Sequence, residues 1–568
     1  MYFFDELITY SPMNFKKTVS FLSYLFIIVF LYPSQIRAQS LGLGNSVIED
    51  YYRRAQLIGS IDPAVSFVIR PLSSVALIDF DNIFDPEYTL KKNTFTGNFQ
   101  IGKNKNIVKL LPINIRQQFN SHHPEGFNDG AMIPSRGYQN IVSMGIFVKY
   151  GSLSIQFQPE FVYAQNKAFE GFIAHYVNPL GLTYPFSPHS KIDFPEKFGD
   201  HNYSKFFWGQ SSIRLTFGSI SFGLSNENLW WGPGIYNSLL MTNTSPGFKH
   251  FTFNTVKPVK TPIGFFEWQV IAGRLDGSGY TNGVPDDWRY INAMVISYQP
   301  QWVPGLFVGL IRSFVIYKDN LGGGLGNYLP ALNPFAKSSS EVDYYGSESW
   351  NQLSSIFMRW VWTKSHVEIY AEYGRKSNVW DVKNMAVQAS HSNAYILGFK
   401  KLIPLNKYKE AYISINVELS QLESNPVPIN NIRGDSWYEH CSVVHGYTHQ
   451  GQILGAGIGP GSNLQTMNIS WVKSLKSVGI QFDRFVHNND FYFEFVKDIR
   501  ENWVDISATA FATWDYKNLI FDVKLKFVKS FNYQWVYEAK LGDPSYFWEG
   551  KGWDVFNFQA QLGLTYRF

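Results

Sequence analysis

Residues 556–568 read Phe556-Asn557-Phe558-Gln559-Ala560-Gln561-Leu562-Gly563-Leu564-Thr565-Tyr566-Arg567-Phe568. Phe556, Phe558, Ala560, Leu562, Leu564, Tyr566 and Phe568 fall on one face of an extended chain, and the intervening polar residues fall on the other. A strand has a period of two, so this segment has one greasy side and one wet side. The pattern recurs upstream. Leu153, Ile155, Phe157, Pro159 and Phe161 alternate with Ser154, Gln156, Gln158 and Glu160. Ile413, Ile415, Val417 and Leu419 alternate with Ser414, Asn416, Glu418 and Ser420, and Phe521, Val523, Leu525 and Phe527 with Asp522, Lys524 and Lys526.

A soluble sandwich also alternates, so the connections must separate the two cases. Short turns at Gly151-Ser152, Gly218-Ser219, Lys364 to His366, Ser474 to Ser477 and Asp515 to Asn518 take turns with long connections, among them 168–210, 318–351, 424–464 and 530–555. Brief turns on one side and long loops on the other are the habit of outer-membrane barrels. Strands are expected to begin near residues 107, 139, 153, 211, 219, 250, 265, 290, 305, 352, 366, 394, 411, 465, 477, 504, 519 and 556, about eighteen in all, the even number such barrels use. The expected fold is therefore all-β: a transmembrane outer-membrane β-barrel of antiparallel strands over residues 105–568, with polar and charged residues facing a wide lumen. Phe568, an aromatic residue closing an alternating strand, resembles the signal read by the barrel assembly machinery.

Composition agrees. Mean hydropathy is −0.16, too low for a helical membrane protein and suited to strands whose alternate residues face lipid. Aromatic residues make up 17% of the chain, which strands and interfacial girdles would absorb. The formal charge of +4 is too mild to argue for nucleic acid, and the lone Cys441 excludes an internal disulfide.

Lys16-Lys17, the apolar run Val19 to Leu31 and the small residue at Ala38 read as a signal peptide over residues 1–38, with the start at Met1 or Met13. Residues 39–104 read as a partly helical periplasmic segment. Val47, Ile48, Tyr51, Tyr52, Ala55 and Ile58 recur at helical spacing, with Ser46 placed to cap the helix and Gly59 to end it.

Several stretches invite a chemical reading. Asn226-Glu227-Asn228-Leu229-Trp230-Trp231-Gly232-Pro233-Gly234 offers paired indoles beside a tight turn, either a platform for sugar stacking or a packed loop root. His445 to Gln452 leads into a glycine-rich run ending at Asn463, with His440 upstream. The spacing of His440, His445 and His449 matches no dependable metal-ligand pattern, so no metal is expected. Asp79, Asp81 and Asp85 fail the calcium-loop pattern, because Phe84 stands where glycine is needed. No Gly-x-Ser-x-Gly elbow occurs, and neither an enzyme nor a cofactor is expected. The long loops are rich in amphipathic aromatics, Tyr176, Tyr184, Phe186, Tyr203, Phe206, Phe207 and Trp208 in one and Phe531, Tyr533, Trp535, Tyr537, Tyr546, Phe547, Trp548 and Trp553 in another, which suit carbohydrate contact, a girdle or loop packing.

Four stretches together resemble the Wzi-type capsule assembly family in its Bacteroidota form: Gly44 to Gly59 with Ser66 to Leu72, Asn226 to Gly234 with Asn243 to Phe248, Phe266 to Gln269 with Gly273 to Leu275, and Gly446 to Asn463. The resemblance implies a non-enzymatic, lectin-like barrel that holds capsular polysaccharide at the cell surface. Its partners would be that polysaccharide, outer-membrane lipid and the barrel assembly machinery. Trp230, Trp231, Asn228, Tyr447 and His449 are the candidate polysaccharide contacts. A diffusion porin for small solutes is the alternative.

Overall fold

In hydrocarbon every unpaired backbone N–H or C=O costs several kcal/mol, and a closed cylinder is the sheet arrangement that leaves none. The computed structural model describes residues 39–77, 82–88, 90, 98–101, 106–172, 191–280, 288–333, 350–376, 393–405, 410–424, 436–496, 500–536 and 554–568, and it has that arrangement. The expected signal peptide lies outside the described residues.

Eighteen antiparallel strands among the described residues follow one another round the barrel. They are β1 (Asn106–Asn120), β2 (Gly137–Tyr150), β3 (Leu153–Phe157 and Glu160–Ala164), β4 (Tyr203–Phe207 and Ser212–Phe217), β5 (Ile220–Ser225) and β6 (His250–Thr255). Then come β7 (Gly264–Leu275), β8 (Arg289–Pro300), β9 (Leu306–Tyr317), β10 (Asn351–Trp362), β11 (Val367–Lys376) and β12 (Asn393–Pro404). The last six are β13 (Ala411–Gln421), β14 (Asn463–Lys473), β15 (Lys476–Val486), β16 (Val504–Tyr516), β17 (Leu519–Phe531) and β18 (Val555–Tyr566). Gln158-Pro159 interrupts β3, since proline cannot donate to the ladder. β18 returns to β1, pairing Gln559 with Asn120 through Tyr566 with Ile113, and so closes the cylinder. Each strand stands where the alternation placed it except β4, which begins at Tyr203, inside the stretch 168–210 expected to be a connection, because Tyr203–Phe207 pairs with Glu160–Ala164 and extends the barrel wall.

The outward face carries the greasy half of that alternation. Ile146, Phe161, Leu224, Phe253, Ile356, Leu397, Ile469, Ile480, Phe521 and Phe527 are exposed on it. Tyr150, Trp302, Trp514 and Tyr516 form an aromatic belt at the end with the short turns. Phe206, Trp208, Tyr395 and Phe556 mark the end with the long loops.

The inward face differs from expectation over one half of the wall. Along β14–β18 and β1 it is polar, lining a lumenal cavity of about 420 Å³ with residues such as Thr466, Asn468, Gln481, Lys524, Lys526 and Gln561. Along β7–β12 buried apolar residues, Ile271, Ile291, Val295, Ile311, Val315, Leu353, Phe357 and Ile396, share the inward face with polar and charged ones such as Gln269, Ser313, Arg359, Glu368 and Lys400. The reason is that two long loops fold into the lumen. Leu239, Leu240 and Met241 of the β5–β6 loop and Trp437, Tyr438, Ile453 and Leu454 of the β13–β14 loop pack against this wall, so apolar surface there is removed from water.

The turn end is closed by the N-terminal segment. Helix α1 (Ser46–Leu57) lies within the barrel mouth, with Ile48, Tyr52 and Ala55 packed among Val65, Phe67, Leu475 and Ile520. Its N-cap is Asn45, one residue before the expected Ser46, and the Asn45 amide donates to Gly42 O at 3.1 Å instead of capping the helix. Gly59, with φ +78, follows the helix end in the left-handed conformation that glycine adopts freely. Ion pairs fix α1 to the wall, and of their side chains only that of Asp50 is substantially exposed. Arg53 meets Glu368 at 2.8 Å, Glu368 meets Arg359 at 2.5 Å, and Lys400 meets Asp50 at 2.8 Å. From the far end of the chain, the Arg567 guanidinium donates to Phe84 O at 3.0 Å.

Candidate functional site

The five residues singled out in the sequence all lie inside the barrel. Trp230, Trp231, Asn228, Tyr447 and His449 are between 0% and 5% exposed. The two loops that carry them fold onto one another. Thr242 donates to Gly455 O at 2.6 Å, and a Cβ on Gly455 would stand 2.2 Å from Leu239 O, so only glycine lets the loops meet this closely.

The packed-root reading accounts for most of their groups. Trp230-Trp231 pairs antiparallel with Ile69-Arg70 of the N-terminal segment. The Arg70 guanidinium sits 4.4 Å from the Trp230 ring centre, a cation–π distance. Trp231 Nε1 donates to Gln269 at 2.9 Å. Asn228 donates to Asn243 and Ser245 and accepts from Gln210. Beside them Glu227 accepts from Arg214 at 2.5 Å and from Ser225 and Ser40. Burial pushes the Glu227 carboxyl up, and these donors more than offset that, leaving it below the usual glutamate value. Tyr447 stacks on Tyr438 at 5.8 Å and donates to Ser313 at 2.9 Å.

The three sequence-neighbouring histidines diverge. His440 Nδ1 accepts from the N–H groups of Ser442 and Val443, His445 Nδ1 bonds Tyr317 Oη at 2.6 Å, and His449 Nδ1 accepts from Asp276 N at 3.0 Å. Burial pushes His449 down to about 3, which suits a neutral acceptor.

A different constellation forms at the loop end. The β1–β2, β3–β4, β13–β14, β15–β16 and β17–β18 loops converge on a cleft of about 170 Å³. Its aromatic wall is Trp503, Tyr533 and Trp535, whose rings meet edge-on at 5.1 Å. His487 lies flat on Trp503, with centroids 3.7 Å apart and planes 11° off parallel. Asp505 holds this pair in place, accepting from Trp503 Nε1 at 2.9 Å and lying 2.7 Å from His487 Nε2. His123 packs on Tyr533 at 4.7 Å, with its Nδ1 turned toward His122 at 3.2 Å.

Among the described residues, His123 Nε2 and Gln534 Oε1, on cleft-lining residues 3% and 4% exposed, are buried polar atoms that show no hydrogen-bond partner. A buried polar atom left unsatisfied costs about 1–3 kcal/mol, so such atoms in a cleft are positions for a ligand or water to satisfy. Asn532, Gln534 and Trp535 adopt φ of +49°, +61° and +57°, unusual for residues with side chains. Backbone in that state persists where its surroundings enforce it, often at binding sites. Burial pushes His123 down to about 4, with Asp505 and Glu125 opposing, so its ring is neutral at neutral pH.

Ligand atoms of His123, Glu125 and Asp505 lie within 4.8 Å of one another. Their carboxylates are already engaged, Glu125 by Lys526 and Asp505 by His487 and Trp503.

The sequence named Tyr533 and Trp535 among many loop aromatics and passed over His123, His487, Trp503 and Gln534. Tyr176, Tyr184, Phe186, Tyr537, Tyr546, Phe547, Trp548 and Trp553 lie outside the described residues.

A family model described as capsule assembly protein Wzi matches residues 117–517. Among solved structures the chain is similar to that of Wzi from Escherichia coli, described as an outer-membrane protein involved in group 1 capsule assembly and a carbohydrate-binding β-barrel. Identity is 12% and the TM-score 0.58, with 93% of this chain and 100% of that chain covered. At this identity the likeness is one of fold. Overlap is lower with OccAB4 of Acinetobacter baumannii, at 9% identity and TM-score 0.36 over 81% of this chain and 98% of that one. With OpdK of Pseudomonas aeruginosa it is 7% and 0.38 over 81% and 98%. No sequence of curated function matches the chain.

Proposed function

The chain belongs to the Wzi capsule assembly family, and from that premise we propose that it holds capsular polysaccharide at the surface of an outer membrane without catalysing a reaction on it. The observation that carries this reading is the loop-end cleft: stacked and edge-on aromatics beside two buried polar atoms that await hydrogen-bond partners. Sugar rings offer apolar C–H faces for aromatic stacking and hydroxyls for such partners. A long polymer repeats its units, so a modest affinity per unit is multiplied by rebinding along the chain.

In this reading the long loops face outward and the short turns face the periplasm. Residues 1–38 direct export, residues 39–104 serve as the periplasmic segment that stoppers the turn end, and residues 105–568 are the barrel. The strand ending at Phe568 is the part the barrel assembly machinery reads, and outer-membrane lipid covers the apolar belt. Trp230, Trp231, Asn228, Tyr447 and His449 frame the lumen beneath the cleft, and polymer contact passes to Trp503, Tyr533, Trp535 and their neighbours.

Deleting the gene tests the role. Polymer synthesis should continue while polymer shifts from the cell surface to the medium. Unchanged retention of polymer on the deletion strain would refute it.

A further inference from the structure

On the outward face at the short-turn end, the register sets two like charges side by side. Lys473 closes β14 and Lys476 opens β15, and the two are direct cross-strand partners in the hairpin that joins them. Both belong to the lipid-facing rows: Lys473 follows the exposed Ile469 at even spacing, and Lys476 precedes the exposed Val478 and Ile480. Like charges directly opposite one another destabilise a ladder, and an anion placed between them removes that cost. Among the described residues Asp515, 4.0 Å from Lys476 Nζ, is the carboxylate within ion-pair reach, and it meets one amine of the two. Lys517, exposed in the next turn, brings a third amine. Aromatic rings hold two of the three at this level. Lys476 Nζ lies 4.5 Å from the centre of the Trp514 ring and Lys517 Nζ 4.9 Å from that of Tyr516.

We infer that this corner of the barrel seats an anionic phospholipid, its phosphate between Lys473 and Lys476 and its acyl chains on the wall beside them. Trp514 and Tyr516 belong to the aromatic belt, which lies at the depth of lipid headgroups, so the amines stand where headgroup phosphates are. Toward the middle of the wall the same strands expose Ile469, Val478, Ile480 and Phe521, an apolar surface for the chains of a lipid held at the lysines. A soluble anion would use the amines and leave that surface idle. Lysine suits the task, because its long stem lies along apolar surface while the amine reaches out to the phosphate. An interfacial lysine favours anionic lipid by about 5-fold, and the three amines act on one headgroup. The inference depends on the barrel and not on the saccharide reading, so either can fail without the other.

The full-length protein in neutral detergent is titrated with phosphatidylglycerol or phosphatidylcholine, and bound lipid is counted by native mass spectrometry. The expected result is that phosphatidylglycerol binds at least ~10-fold more tightly, as two or more interfacial lysines require. Lys473→Gln with Lys476→Gln should abolish that preference, and Lys473→Gln alone, an exposed position, should reduce it. Lys197→Gln with Lys249→Gln removes the same charge from the loop end and should leave it in place. Heat-modifiable migration on gels shows that each variant is folded. An excess of inorganic phosphate should not displace the lipid. Equal binding of the two lipids by the parent, or a preference that survives the paired substitution at Lys473 and Lys476, would overturn the inference. Complete displacement by inorganic phosphate would make the lysines a site for free anions and overturn the lipid assignment.

Discussion

Glu368 of β11 lies 2.8 Å from Arg53 of α1 with both side chains removed from water, so the helix that stoppers the turn end is tied to the wall by a buried ion pair. Arg359 of β10 grips the other carboxylate oxygen at 2.5 Å, giving one carboxylate two guanidinium partners. Both arginines have further bonds, Arg53 to Pro233 O and Arg359 to Gln56 and Ser66 O, so the network joins the N-terminal segment, the β5–β6 loop and the barrel.

Glu368→Ala should therefore be strongly destabilising, by about 3–5 kcal/mol, because it leaves buried guanidinium charge uncompensated. The midpoint of heat-modifiable unfolding should fall markedly. A midpoint within a degree or two of the parent would contradict the assigned role.

The filled lumen bears on conductance. Loops β5–β6 and β13–β14 occupy the side of the lumen along β7–β12, and α1 crosses the turn end. In planar bilayers the protein should give no steady ohmic channel of porin size. Arg53→Ala, which loosens the stopper, should raise the frequency of brief openings. Stable open channels from the parent protein would favour the diffusion-porin alternative.

Gly232 sits at φ +137, and a Cβ there would stand 2.2 Å from Ser238 Oγ and 2.8 Å from Glu372 Oε2. Gly232→Ala should cost about 1–3 kcal/mol through backbone strain and this clash. Gly218→Ala offers a control: its added Cβ meets nothing within 4 Å, although φ is +57. Equal effects of the two substitutions on unfolding would show that the turn at Gly232 is not tightly packed.

Acid should loosen the loop body. Burial depresses His123 to about 4 and His449 to about 3, against 6.5 for an exposed histidine. The unfolded chain takes up these protons first, so stability is full above pH 6.5 and falls as pH drops toward 4, where His123 protonates in the folded state. Intrinsic tryptophan fluorescence across pH 7 to 4 should report the loosening, and His123→Gln should flatten part of the slope. A profile that is flat over this range would contradict the burial of these rings.

The barrel was legible because a membrane imposes a period of two on every strand. Phe521, Leu525 and Phe527 face outward, while Lys524 and Lys526 line the cavity, as their alternation requires. The apolar interior at Ile291 and Val295 was not legible. There both faces of β8 are covered, and a strand covered on both sides reads as a continuous apolar run. The cleft was hidden for another reason. His123, Trp503 and Tyr533 lie far apart in sequence, and only barrel closure brings β1, β16, β17 and β18 side by side. Trp230 and Trp231 drew notice as a rare pair, yet a pair of indoles beside a glycine turn is equally what a loop needs to root itself in a lumen.

The most direct test of the central claim is a titration of the strain's own isolated capsular polysaccharide against the full-length protein and its Tyr533→Ala and Gln534→Ala variants, followed by tryptophan fluorescence or calorimetry. Saturable binding by the parent, weakened at least ~10-fold in both variants while Trp230→Phe in the lumen leaves it unchanged, is the predicted result. Equal binding by parent and cleft variants would contradict the account.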